Sequence, residues 1–270
     1  MKWEDLSTEQ RRKLAEILAE ERLAKINQSL ESVVPSKTIY ARYIKRIIDI
    51  VISFVALVVT LPVNLVIGVI TIFDVGFPIF FKQQRIGKNE KIFTIIKFRN
   101  MRNDRDEKGD LLPASERVTK FGKIVRKTSL DELLNFWSIF KGDMSLIGPR
   151  PLLPQYLVRF NKRHKGRFLV RPGLECPPRE LLDTVWSWQE RFDNDVWYVE
   201  NLSFLVDCKM IINLIRYALD PQMSSLRANA NLGTFMGYDL NGEAITHESI
   251  EQKYFDMFSG TTTEDNAAEG

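Results

Sequence analysis

Residues 47–73 read IIDIVISFVALVVTLPVNLVIGVITIF, an apolar run interrupted by one carboxylate, Asp49, and one proline, Pro62. At about 1.5 Å per residue the run can cross a hydrocarbon core of about 30 Å, so it reads as a membrane segment. Upstream, Leu14, Ile17, Leu18, Ile26 and Leu30 recur at helical spacing, and Ser7 with Gln10 forms a capping-box pattern. This predicts a helix docked on its own protein or turned toward a partner or membrane surface. Downstream, residues 79–84 and 92–98 read as short strands around the turn Gly87-Lys88-Asn89, and Asn103 to Glu116 as a charged loop. Helical patterns follow at about 130–141, 152–165, 180–192 and 203–218. Beyond Asp220 periodicity weakens, and the acidic, small-residue stretch at 260–270 predicts disorder. The expected organisation is an N-terminal amphipathic helical extension (1–36), a membrane segment (37–77), a helix-rich mixed α/β domain (78–219) and a C-terminal extension with a disordered acidic tail (220–270).

Two features shape the membrane segment. Pro62 removes the hydrogen bond to the Val58 carbonyl and favours a break at Leu61-Pro62, with Thr60 and Asn64 available to satisfy freed groups. Basic residues flank both ends, Lys37, Arg42, Lys45 and Arg46 before it and Lys82, Arg85 and Lys88 after it. The positive-inside rule places both flanks in the cytoplasm, so the pattern predicts a helix that enters one leaflet, bends and returns. A single crossing is the alternative. Asp49 is costly in lipid and is expected to pair with Arg46 or Arg42.

Composition narrows the chemistry. In 270 residues, 38 Lys and Arg face 35 Asp and Glu, and the net charge of +3 argues for no nucleic-acid partner. Cys176 and Cys208 are too few for a disulfide framework, and His164 and His247 are too few for a histidine triad or a multi-histidine metal site. Carboxylates and cations must therefore carry any catalysis. Thr128-Ser129-Leu130-Asp131-Glu132 places two adjacent acids behind Ser129, a candidate N-cap with Glu132 three residues on. An acidic first turn is ordinary helix-dipole design. Here, however, Lys97, Arg99, Arg117, Lys123, Arg126 and Lys127 precede the pair, and Lys141 and Arg150 follow. Adjacent carboxylates among cations suit a reaction on phosphates: one acid attacks phosphorus or binds Mg²⁺, the other completes a metal shell, and arginines hold the oxygens.

Lys45-Arg46 with Asp49, Lys97-Phe98-Arg99-Asn100-Met101, Ser129-Leu130-Asp131-Glu132-Leu133, the run from Lys141 to Pro151 and Arg171-Pro172-Gly173 occur in this order behind the proline-broken segment. The combination resembles the bacterial sugar transferases that are monotopic polyprenyl-phosphate phosphoglycosyl transferases, over roughly residues 42–215. The resemblance implies a compact α/β catalytic domain on a re-entrant membrane helix with interfacial amphipathic helices, held at the cytoplasmic leaflet of the bacterial inner membrane. It implies transfer of a sugar 1-phosphate from a UDP-sugar to undecaprenyl phosphate with release of UMP, the first membrane step of exopolysaccharide or glycoconjugate biosynthesis. Asp131 would be the nucleophile of a phosphosugar-aspartyl intermediate, and Glu132 would help hold Mg²⁺. By motif position, Lys97, Arg99, Arg126, Arg150 and Arg171 become phosphate- or substrate-binding candidates. A homodimer or downstream glycosyltransferases are further expected partners.

One stretch departs from the family pattern. After Arg171-Pro172-Gly173 the family continues with a Thr-Gly-x-Ala-Gln-Val-x-Gly-Arg-like segment, whereas this chain runs LECPPRELLD. The motif's arginine falls on Asp183, which leaves Arg179 as a conjectural replacement. The alternative reading is a catalytically silent membrane-anchored scaffold or nucleotide-sugar-binding protein.

Overall fold

A computed structural model describes residues 2–106, 111–180, 186–219 and 232–258. Contacts divide it into two compact units that do not follow chain order. One comprises 1–36, 152–170 and the described part of 176–270, and the other comprises 37–151 and 171–175.

In the first unit, α1 (Thr8–Ser29) starts at the expected capping box, with Ser7 Oγ accepting from the Gln10 amide and the Gln10 side chain accepting from the Ser7 amide. Its buried Leu14, Ala15 and Leu18 pack with Met236, Ile250, Tyr254 and Phe255. Thus α1 docks on its own chain, and its partners come from the region where periodicity weakens. That region forms an antiparallel hairpin, β5 (Phe235–Tyr238) and β6 (Ala244–Thr246), followed by the short α8 (Gln252–Asp256). The expected tail at 260–270 lies outside the described residues. Two expected helices differ. The 152–165 pattern gives only 3-10 turns, Pro154–Arg159 and His164–Leu169, because Pro151 and Pro154 interrupt the helical ladder. The 180–192 pattern shifts to α6 (Trp188–Asn201), which begins where Ser187 and Glu190 close a capping box. Helix α7 (Phe204–Leu219) lies where expected.

The second unit carries the apolar helix. A π-helical turn (Tyr40–Ile44) runs into α2 (Lys45–Val75), giving 36 helical residues long and apolar enough to cross a membrane. Most of its large apolar side chains are exposed, among them Val51, Phe54, Val58 and Leu65. Such a surface is stable only against lipid or another apolar partner. Its inward stripe is small and polar: Asp49, Ser53, Gly68 and Thr71 are buried where α2 packs on α5, β2 and β3. The helix continues through Leu61-Pro62, so the expected break does not interrupt it. One missing N–H is compatible with a continuous helix when its neighbours keep their bonds. Thr60 Oγ1 donates to the Ala56 carbonyl and not to Val58, and Asn64 Nδ2 donates to Thr60 Oγ1.

Asp49 is also differently placed from expectation. Its Oδ1 accepts from Ser145 Oγ and the Leu146 amide, both at 3.0 Å, instead of pairing with Arg46 or Arg42. Arg46 donates to the carbonyls of Ile139 and Phe140. A buried carboxylate needs donors, and the edge of β3 (Ser145–Ile147) supplies two. The expected strands form an antiparallel hairpin, β1 (Phe80–Ile86) and β2 (Ile92–Phe98), with Phe81 opposite Lys97 and Gln83 opposite Ile95. A separate parallel pair joins β3 to β4 (Gly173–Glu175). Gly173 is required there, because a Cβ would overlap the backbone of Ile147 and Gly148. A short α3 (Ala114–Arg117) precedes α4 (Lys120–Lys127), and α5 (Asn135–Lys141) ends at Gly142 with φ +102°.

Candidate active site

Three pieces of the second unit meet at the acidic pair. Strand alternation puts Phe81, Gln83 and Arg85 on one face of β1, and β2 delivers Lys97 beside them before the chain continues through Arg99 and Asn100. Helix α4 approaches Asn100 closely, because a Cβ on Gly122 would overlap the Asn100 carbonyl oxygen. Thr119 caps α4 by accepting from the Gly122 amide, and its hydroxyl donates to Asp74 near the end of α2.

The acidic pair sits on a 3-10 turn, Leu130–Glu132, and not in the first turn of a long helix. Ser129 does not act as the expected N-cap: it adopts φ +55° and its side chain makes no capping bond. The left-handed residue turns the chain sharply out of α4, so Asp131 and Glu132 project from a tight corner. Both line an open cavity of about 590 Å³ with Phe81, Gln83, Arg85, Lys97, Arg99, Asn100, Arg117 and Arg126. That volume falls in the range of small-ligand sites. A smaller polar recess of about 40 Å³ lies against Glu132, Lys97, Arg150 and Asn135.

The two acids have opposite environments. Glu132 Oε1 accepts from Lys97 Nζ at 2.6 Å and from Arg150 at 3.1 Å. Burial alone would raise its pKa, but the charges of Arg150 and Lys97 prevail and hold it below the ordinary glutamate value. Asp131, 7% exposed, accepts a long side-chain hydrogen bond from Asn100 Nδ2 at 3.5 Å. No cation among the described residues lies at ion-pair distance from it. Burial is the largest influence and raises its pKa, aided by Glu132 and opposed by Lys97 and Arg126. Neighbouring carboxyl groups pushed apart in this way can take different chemical roles.

The expected cations are distributed unevenly. Lys97, Arg99 and Arg126 line the large cavity, and Arg150 lines the small recess. Arg99 also holds the end of α2, donating to the carbonyls of Val75, Gly76 and Phe77. Arg126 approaches Met101 Sδ at 3.9 Å. Arg171 donates through Nε to the Gly142 carbonyl at 2.8 Å and lines neither cavity. Asp183 lies outside the described residues, and Arg179 stands over the Trp197 ring in the first unit. Sequence reasoning assigned no site role to Asn100, Gln83, Asn135 or Glu175. Strand alternation could have found Gln83, and Asn100 lies inside a recognised motif.

Glu132 is the Mg²⁺ donor that the resemblance implies. No group of three or more His, Cys, Asp and Glu able to hold a metal occurs among the described residues. A closed protein cage is therefore absent there, but Mg²⁺ at phosphate-transfer sites uses one or two carboxylates with substrate oxygens and water. Glu132, a single carboxylate at the wall of an open, cation-rich cavity, fits that requirement.

Two adjacent carboxylates among several cations at one cavity suit chemistry on phosphates, and comparison with known proteins identifies the class of the chain. Residues 40–220 match the family described as bacterial sugar transferase, so the chain belongs to that family. It is 40% identical over 176 residues to the uncharacterized sugar transferase EpsL of Bacillus subtilis, covering 65% of this chain and 87% of EpsL. It is 33% identical over 198 residues to the UDP-N-acetylgalactosamine-undecaprenyl-phosphate N-acetylgalactosaminephosphotransferase of Aeromonas hydrophila, covering 70% of this chain and 46% of that protein. Identity to the undecaprenyl-phosphate galactose phosphotransferase of Salmonella typhimurium is 30% over 200 residues, covering 66% of this chain and 41% of the relative. The chain thus spans most of EpsL but less than half the length of the other two.

Proposed function

We propose that the protein transfers a sugar 1-phosphate from a UDP-sugar to undecaprenyl phosphate, with Asp131 as nucleophile. The observation that carries this reading is the asymmetry of the acidic pair: Asp131 faces the cavity without an ion-pair partner among the described residues, while two cations pin Glu132 beside it. A carboxylate held by cations is a poor nucleophile, whereas an ionised, desolvated one is a better one. The names of the Aeromonas and Salmonella relatives, which specify undecaprenyl-phosphate sugar phosphotransferases, support the same reaction class.

In the first step an Asp131 carboxylate oxygen bonds to the β-phosphorus. The bond from that phosphorus to the bridging oxygen breaks, and UMP leaves with the bonding pair. In the second step an oxygen of undecaprenyl phosphate attacks the same phosphorus and displaces Asp131, giving the polyprenyl diphosphosugar. Lys97, Arg99 and Arg126 neutralise phosphate oxygens around the cavity. Glu132 would help hold Mg²⁺, which when bound supplies charge neutralisation at the diphosphate.

The acceptor's phosphate lies at the membrane surface, so the same reading places α2 in the cytoplasmic leaflet of the inner membrane as a re-entrant anchor. Support comes from the basic flanks, Pro62 and the exposed apolar side chains of α2. Helix α7 exposes Phe204, Leu205, Ile212 and Ile215 and suits an interfacial position.

The test is UMP release by nanodisc-held protein with Mg²⁺, undecaprenyl phosphate and a panel of UDP-sugars, alongside folded Asp131→Asn. Release with one donor, abolished in the variant, is expected. Full activity in the variant would remove Asp131 as nucleophile. Donor binding without UMP release would favour a silent binding protein.

A further inference from the structure

Arg150 is shared between two carboxylates. Its Nη2 meets Glu132 Oε1 and its Nη1 meets Glu175 Oε2, each at 3.1 Å. Both termini of this bridge are fixed by backbone. Glu175 ends β4, paired opposite Ile147, and its carbonyl accepts from the Gly148 amide. Arg150 stands between Pro149 and Pro151, whose rings restrict φ. Glu175 also falls in the stretch that departs from the family pattern.

A guanidinium fork satisfies both oxygens of one carboxylate when nothing else claims an arm. Here Glu175 claims one, so Arg150 reaches Glu132 with a single arm. The hydrogen bonds from Lys97 and Arg150 both end on Oε1, and Glu132 Oε2 receives neither. We infer that Glu175 is a positioning residue for the proposed transfer: by dividing the Arg150 fork, it keeps that fork from closing side-on over Glu132. The inference rests on the reaction proposed above. Without Glu175 the fork closes on both oxygens of Glu132, and the carboxylate loses its free approach to the cavity.

The test compares Glu175→Gln and Glu175→Asp with the wild type in the UMP-release assay, with Asp131→Asn as the blank and thermal melting to verify folding. Glu175→Gln should lower kcat about tenfold or more while changing donor KM less than threefold. Glu175→Asp keeps the charge but is one methylene too short to meet Arg150, so it should show the same loss. Because Lys has no fork to close, adding Glu175→Gln to Arg150→Lys should cost less than twofold further. Wild-type kcat in Glu175→Gln, or in Glu175→Asp alone, would overturn the positioning role while leaving the reaction intact. A full tenfold loss in the Arg150→Lys background would overturn it as well. Absence of UMP release from the wild type with every donor would overturn the reaction and this role together. If Glu175→Gln does not fold, Glu175→Asp and its pair with Arg150→Lys decide the matter alone.

Discussion

Lys97 Nζ donates to Glu132 Oε1 at 2.6 Å, joining the end of β2 to the turn that carries the acidic pair. Both side chains are mostly buried, at 20% and 24% exposure, so solvent screens this ion pair less than a surface one. Lys97→Met should cost about 1.5–3 kcal/mol in chemical denaturation, the range for losing a hydrogen bond to a charged group. Because Lys97 also lines the cavity, UMP release should fall by about a hundredfold or more, comparable to removing one oxyanion donor. A stable Lys97→Met protein with wild-type turnover would remove this lysine from the site.

Asp131 and Glu132 should respond to neutralisation with opposite signs. The pKa of Asp131 is raised, chiefly by burial, so the folded state binds its proton more tightly than the unfolded state. Stability from this group therefore falls as pH rises from the ordinary aspartate value through the raised one. Glu132 is lowered, so its contribution is present above the ordinary glutamate value and is lost as pH falls through the folded one. At pH 7 Asp131→Asn should raise the melting temperature and Glu132→Gln should lower it. Both differences should shrink toward zero in acid. Melting curves of the two variants across pH 3–8 check this, and equal signs at pH 7 would contradict the assigned environments.

Arg99 bridges the end of α2 and the cavity. Its fork serves three consecutive carbonyls, Val75, Gly76 and Phe77, at the C-terminal end of the helix, where a cation also complements the dipole. Lysine keeps the charge but offers a single ammonium. Arg99→Lys should therefore lose about 1–2 kcal/mol of stability through the missing hydrogen bonds. If Arg99 also binds phosphate, KM for undecaprenyl phosphate rises in the same variant. A loss of stability with unchanged kinetics would confine Arg99 to anchoring α2.

What the sequence made legible follows from interaction range. The hairpin at 80–98, the capping box of α1, the apolar helix and the adjacency of Asp131 and Glu132 are local patterns, and each occurs where expected. The partners of Asp49 were not legible, because Ser145 and Leu146 lie nearly one hundred residues away. Nor was the docking of α1 on Met236 and Tyr254, since those partners lie far along the chain in a region of weak periodicity. Ser129 misled for a subtler reason: its capping-box spacing is real, but the chain spends that residue on a left-handed turn.

Membrane topology gives the last prediction. The apolar run 47–73 of this helix is about 40 Å long at 1.5 Å per residue, beyond a hydrocarbon core of about 30 Å. A straight crossing would leave apolar turns in water or require strong tilt, and it would put one basic flank on the outer side. A helix bent at Pro62 avoids both costs by keeping Lys37 and Lys82 on the cytoplasmic side. In a Cys208→Ser background, with Cys176 buried, single cysteines at 37 and 82 report each flank. Both should resist a membrane-impermeant maleimide applied to intact cells and react after inner-membrane permeabilisation. Labelling of one flank in intact cells would establish a crossing helix and remove the re-entrant anchor. Pro62→Leu should then discriminate further: a restored hydrogen bond to Val58 disfavours the bend that a re-entrant anchor requires, so one flank should become reactive from outside while the catalytic unit stays folded.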